Sequence, residues 1–167
     1  RIARRFGSTA ELTATNNRIA NPNLIKQGDR LRVLSGEFKV VVNKTRNDLT
    51  LILNGRFFKR YPVGTGKFGR TPVGTFIISD RIAEPAWWRP DGKVVPYGDP
   101  ENILGTRWLA LKPTGETPPV SGYGIHGTWE EDSIGKAESA GCIRLRNRDI
   151  EELFLLLPIG TSVIIEE

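Results

Sequence analysis

The 167-residue sequence contains no methionine, a single cysteine and a single histidine. One cysteine excludes an internal disulfide, and one cysteine with one histidine falls short of the ligands of an ordinary zinc site. No uninterrupted apolar run reaches the ~18 residues that a membrane-spanning helix requires, so no membrane span is read. Acidic residues are scarce in one half only: residues 1–70 hold 15 Lys or Arg against 4 Asp or Glu, whereas 71–167 hold 9 against 15. The first half is therefore basic enough to attract an anionic polymer. No nucleic-acid motif accompanies that charge. The length and a hydrophobic content of 38% suit one domain of ordinary size with a small appendage.

What is present is concentrated. The lone histidine, in His126-Gly127-Thr128, is followed by the lone cysteine, in Ser139-Ala140-Gly141-Cys142-Ile143-Arg144-Leu145. A thiol is nucleophilic as thiolate, so a catalytic cysteine needs a neighbouring base or cation, and His126 is the only imidazole available. Gly141 permits close backbone approach, and the amides around Gly141 and Cys142 are placed to face a developing oxyanion. If the segment is extended, Cys142 and Arg144 share one face while Ile143 and Leu145 take the other. A cation beside the nucleophile suits a substrate bearing carboxylates. Taken singly, a lone cysteine is ordinarily a small buried hydrophobe and a lone histidine a structural one. A thiol flanked by Ser, Gly and Arg is poor core material. Papain-like proteases place cysteine before histidine, and caspase-like enzymes space the two by roughly 50 residues, so neither fits.

The block resembles the signature of the L,D-transpeptidase catalytic domain, the YkuD-like family of peptidoglycan cross-linking enzymes, in which a histidine precedes a Ser-x-Gly-Cys-x-Arg segment. Upstream, Thr71-Pro72-Val73-Gly74-Thr75-Phe76 matches the family's Thr-Pro-x-Gly turn, and Tyr61-Pro62-Val63-Gly64-Thr65-Gly66 matches the strand end leading to it. The resemblance covers residues 38–167. It implies Cys142 as nucleophile, His126 as general base and Gly141 and Cys142 as oxyanion-hole amides. It also implies a main-chain carbonyl at Ser139 or Gly127 that orients the imidazole, with Arg144 and Thr128 on the substrate side. Many members carry a second histidine where this chain has Ala140, so contacts made by that side chain are lacking here.

The implied reaction is acyl transfer. Cys142 attacks the third residue of a tetrapeptide stem and D-alanine leaves; an amine on a second stem then resolves the thioester into a 3→3 cross-link. Water in place of the amine gives an L,D-carboxypeptidase. No metal or organic cofactor is required, and carbapenems are expected to acylate Cys142. The expected partners are peptidoglycan stem peptides and glycan strands, in the extracytoplasmic wall of a vegetative cell or a spore. A single cysteine suits that compartment. With peptidoglycan as the substrate, the basic half reads as favouring anionic wall polymers rather than nucleic acid. A wall-binding protein that keeps the fold without the chemistry is the alternative from another class; an intact nucleophile and base weigh against it.

Ahead of this block, Ile2-Ala3-Arg4-Arg5-Phe6, then Ser8-Thr9 and Leu12, read as two short helices with polar caps. The run from Asn21-Pro22 through Gly28-Asp29 to Leu31-Arg32-Val33 reads as a turn, a tight bend and a short strand. The order resembles a LysM module, a glycan-binding α+β unit, lacking its first strand. With methionine absent as well, a further amino-terminal piece is expected. The expected division is 1–36, a partial LysM-like module, and 37–167, the catalytic domain.

The catalytic part reads as mainly β, a sandwich or barrel with one or two helices. Phe38–Asn43 and Leu49–Leu53 are β-rich, and Asn54-Gly55 predicts a type I′ hairpin into Arg56–Tyr61. Further strands are expected at Gly74–Ser79, Arg107–Leu111, Tyr123–His126 and Thr161–Ile165. Ile150, Leu153, Phe154 and Leu157 recur with helical period, with Asn147 as expected N-cap and Pro158 and Gly160 beyond the end. Glu84–Leu104 reads as a long irregular loop, in which Trp87 and Trp88 either wall the peptide groove or fold back and bury.

Overall fold

A computed structural model describes residues 1–167. In Phe38–Asn43 (β1) the side chains of Phe38, Val40 and Val42 are buried and Lys39 faces out, the alternation of a strand with one apolar face. Asp48–Leu53 (β2) pairs antiparallel with it. Asn54 and Gly55, at φ 50° and 76°, then turn the chain into Arg56–Pro62 (β3) as the I′ geometry demands. Thr65–Gly66 (β4), Gly74–Ala83 (β5), Trp87–Trp88 (β6), Val94–Val95 (β7) and Arg107–Pro113 (β8) follow. The chain closes with Gly124–Thr128 (β9), Ala137–Ser139 (β10), Ile143–Arg146 (β11), a helix at Asn147–Leu156, and Ser162–Glu166 (β12).

Eight strands form one sheet in the order β11-β9-β8-β5-β12-β1-β2-β3, with β4–β10 and β6–β7 as small separate pairs. The fold is mainly β, a strongly curled, nearly closed sheet with few helices. Tyr61 from one edge strand and Ile143 and Leu145 from the other join a single core with Ile150 and Leu153 of the Asn147–Leu156 helix and Leu157 just past its end. Burying these apolar side chains contributes about 1.5–3 kcal/mol each.

The amino-terminal helices Ile2–Arg5 (α1) and Ala10–Asn16 (α2) are present, and Thr9 caps α2 by accepting from Leu12 N–H at 3.1 Å. The Asn147–Leu156 helix is accordingly α3. Leu12 enters the main core, the Thr9 hydroxyl donates to the Leu155 carbonyl, and Glu11 pairs with Arg81 at 3.5 Å. The start of α2 thus rests on the end of α3.

Three expectations need correction. The strand expected at Leu31-Arg32-Val33 does not form, and with it the sheet of the expected α+β unit. A strand needs a neighbour; here the only backbone partner of Arg32 is the Asn17 side chain, which accepts from Arg32 N–H and donates to Arg32 C=O, each at 2.7 Å. Asn147 is not the N-cap of α3: Arg146 holds that position without a side-chain cap, because β11 runs straight into the helix. The Glu84–Leu104 loop is irregular apart from the β6–β7 pair and is pinned by buried Asn102, whose amide donates to the carbonyls of Pro85 and Val95 at 2.9 and 3.1 Å. No helix is long and apolar enough to cross a membrane.

Candidate active site

The site grows out of strand register. β9 and β11 run parallel, with Ile125 opposite Ile143 and His126 opposite Arg144. Ile125, Ile143 and Leu145 point into the core, so alternation sends His126 and Arg144, and Cys142 two residues ahead of Arg144, to the other face. On the far side of β9, β8 sets Trp108 opposite His126, and the rings stack with centroids 5.7 Å apart at 23°.

His126 is 2% exposed, and its Nδ1 lies 2.6 Å from the carbonyl oxygen of Gly127. A carbonyl only accepts, so the proton sits on Nδ1 and Nε2 keeps its lone pair. Burial pushes the imidazole down to about 4; the Gly127 carbonyl opposes this, Arg144 adds to it and the Leu104 backbone opposes it. The ring is neutral at pH 7.

The Cys142 thiol is half-buried and donates to the Gly122 carbonyl at 3.7 Å. Burial raises its pKa, and the Gly124 backbone and Arg144 only partly counter that. Burial thus outweighs Arg144, and the thiol and the imidazole both rest neutral.

Two hydroxyls brace the turn before Cys142. Ser139 Oγ donates to the Cys142 carbonyl at 2.6 Å and accepts from Gly141 N–H at 3.1 Å. Thr71 Oγ1 donates to the Gly141 carbonyl at 2.8 Å and accepts from Gly66 N–H at 2.7 Å. Gly141, at φ +145°, leaves no room for a side chain, since a Cβ would stand 2.7 Å from the Tyr123 ring. Of the two amides expected to face an oxyanion, that of Gly141 is taken by Ser139. The Cys142 N–H makes no hydrogen bond.

Of the two positions considered for orienting the imidazole, the contact comes from Gly127, while Ser139 braces the turn instead. Arg144 pairs with Glu130 at 3.2 Å, and its Nε is buried without a partner. Thr128 is buried and accepts from Glu130 N–H at 3.0 Å, so it shapes the turn that carries Glu130. Trp87 is half-buried beneath the Arg89 guanidinium and Trp88 is 76% exposed; neither ring contacts His126. Trp108, Tyr123, Glu130 and Asn147 emerge only from the structure. Trp108 has no signal in the sequence, because only the register of β8 on β9 sets it on the imidazole. No group of three His, Cys, Asp or Glu side chains converges as a metal site would require.

Comparison with known proteins gives consistent matches. Residues 37–165 match the YkuD family, the L,D-transpeptidase catalytic domain. YqjB of Bacillus subtilis, which carries an L,D-transpeptidase name, is 38% identical over 135 residues, covering 80% of this chain and 74% of that protein. YkuD of the same organism, similarly named, is 39% identical over 129 residues, covering 77% of this chain and 65% of that one. Among solved structures, an L,D-transpeptidase from Mycobacterium smegmatis aligns with a TM-score of 0.61 at 22% identity, covering 84% of this chain and 64% of its own. L,D-transpeptidase 3 from Mycobacterium tuberculosis, in complex with a faropenem-derived adduct, aligns at 0.62 and 19% identity, covering 81% and 62%. These structural likenesses concern the fold. The chain spans less than two thirds of the length of several of these proteins.

Proposed function

The chain belongs to the family of L,D-transpeptidase catalytic domains, and we propose that it cross-links peptidoglycan stem peptides through a Cys142 thioester. The observation that carries this reading is the Gly127 carbonyl 2.6 Å from His126 Nδ1: it holds Nδ1–H and leaves Nε2 as the base, on the sheet face shared with Arg144, two residues past Cys142.

Because the resting pair is neutral, the thiol proton passes to Nε2 as sulfur attacks the carbonyl carbon of the third stem residue. The Cys142 N–H is the free amide that meets the oxyanion. As the tetrahedral intermediate collapses, the C–N bond to D-alanine breaks, and the imidazolium returns its proton to that leaving nitrogen. The side-chain amine of a second stem, deprotonated by His126, then attacks the thioester; the product is a 3→3 cross-link and Cys142 leaves as thiol. Water as acceptor yields carboxypeptidase activity instead. Arg144 supplies fixed positive charge for a substrate carboxylate. The place of action is the bacterial cell envelope.

The test is intact-mass spectrometry after incubation with imipenem and, separately, with a disaccharide tetrapeptide, beside Cys142→Ala. An adduct lost in the variant, with dimeric product or released D-alanine, is expected. A folded wild type that forms neither adduct nor product overturns the reading.

Residues 1–36 fit a partial LysM-like role in holding glycan. Support comes from the helix pair, whose second member Thr9 caps, and from a hollow of about 420 Å³ lined in part by Ile19, Leu24, Ile25 and Leu31. Retention on purified peptidoglycan that Leu24→Ser leaves unchanged would sink it.

A further inference from the structure

The backbone behind His126 is held by a residue that the nucleophile strand itself delivers. Asn147 follows β11 directly as the first residue of α3, and its Oδ1 accepts from the Thr106 N–H at 3.1 Å. It also occupies space left by two glycines. A Cβ on Gly127 would fall 2.2 Å from Asn147 Oδ1, and one on Gly105 2.3 Å from it. The amide oxygen is therefore wedged between Gly105 and Gly127, and the Ile150 methyl packs on Gly127 as well, 3.1 Å from where its Cβ would be. Gly127 carries the carbonyl that receives His126 Nδ1–H, and Leu104, just before Gly105, also acts on the ring through its backbone. The oxygen of Asn147 thus ties together both backbone segments that contact the imidazole.

Resting on the reading of His126 as the base, we infer that Asn147 is a positioning residue for the L,D-transpeptidase reaction. Its amide oxygen clamps the Thr106 N–H against the Gly127 backbone and so fixes the carbonyl that keeps Nε2 of His126 free. A neutral acceptor suits the position, because a carboxylate there would draw a proton onto the imidazole. The charged and titratable groups on this side are Arg144 from β11 and Cys142 just ahead of that strand, with Glu130 paired to Arg144. β8 brings uncharged Trp108 against the ring, with Arg107 beside it in the strand, and α3 brings Arg148 and Asp149, 3.8 Å apart.

The lone histidine makes the test direct, since every imidazole resonance belongs to His126. The tautomer and titration of the ring are read by NMR, and Cys142 acylation by imipenem at pH 7, in wild type, Asn147→Ala and Asn147→Asp. Wild type is expected to hold the Nδ1–H tautomer and to titrate near 4. Asn147→Ala is expected to mix tautomers, to titrate lower than wild type because the Gly127 and Leu104 backbone contacts that raise the ring are loosened, and to acylate roughly 10–100-fold more slowly with little change in half-saturation. Asn147→Asp keeps an acceptor, so tautomer and rate are retained to within a few-fold while the titration moves up. A folded Asn147→Ala with wild-type tautomer, titration and rate overturns the proposal, as does an Asp variant that loses as much rate as Ala. If Asn147→Ala does not fold, Asn147→Asp decides: a raised titration with the rate retained supports the clamp, and an unchanged titration overturns it. A wild type that imipenem does not acylate would sink the transpeptidase reading instead, and the tautomer comparison would still judge the clamp.

Discussion

The carbonyl oxygen of Gly127 stands 2.6 Å from Nδ1 of His126, the residue before it. In many triads an acid side chain fixes the imidazole tautomer; here a neutral backbone acceptor does so. A neutral partner adds no charge, so burial dominates and the ring stays unprotonated well below its ordinary range. As the proposed base, His126 is thus ready over a wide pH span, at the cost of a weaker pull on the thiol proton.

The first prediction concerns the pair itself. Cys142→Ala is expected to abolish acylation, and His126→Gln to slow it by about 10²–10⁴-fold, the usual range for loss of a general base. Intact-mass time courses with imipenem measure both. A His126→Gln protein that acylates at the wild-type rate would remove His126 from the mechanism.

Stability should depend on pH through the same ring. Its pKa is about 4 folded against 6.5 as reference, so between those values the unfolded chain binds more protons. The contribution of His126 is therefore fully present above pH 6.5 and lost as pH falls toward 4, in total on the order of 3 kcal/mol. Urea unfolding at pH 7 and 4.5 should show a larger loss in wild type than in His126→Gln.

Arg144 bears on both His126 and Cys142, lowering imidazole and thiol alike. Arg144→Gln should therefore move the His126 titration up and make iodoacetamide alkylation of Cys142 slower at a given pH. Alkylation rates that rise with pH along the same curve in both proteins would contradict this.

The turn before Cys142 depends on the Thr71 hydroxyl, which accepts from Gly66 N–H and donates to the Gly141 carbonyl. Thr71→Val keeps the shape and leaves two buried backbone groups unpaired, a loss of about 1–3 kcal/mol for each. Lower stability with slower acylation is expected in denaturant titrations and mass time courses.

Leu12 tests whether residues 1–36 stand apart from the catalytic fold. It is 7% exposed and lies in the main core, so Leu12→Ala should destabilise by about 2–4 kcal/mol and shift one cooperative transition. Two separate transitions, with only the smaller one moved, would show an independent module.

Much of the framework was legible because it is local. The alternation in Phe38–Asn43, the Asn54-Gly55 turn and the period of Ile150, Leu153 and Phe154 each depend on near neighbours in the chain, and each appears where expected, with Leu157 falling just past the helix. Leu31-Arg32-Val33 has the composition of a strand but no partner, and pairing is not a local property. Asn147 has the composition of a cap, yet its side chain went to Thr106, 41 residues away in sequence.

The sequence by itself determined which atoms are available for chemistry: one thiol, one imidazole, an arginine two residues past the thiol, and a glycine where only a glycine fits. Tertiary structure alone decided their states. The register of β9 on β11 set Arg144 against His126, that of β8 on β9 laid Trp108 over the ring, and burial held the thiol and imidazole neutral. Residue type sets an intrinsic proton affinity. Desolvation and neighbouring charge, which shift it, exist only once distant strands have met.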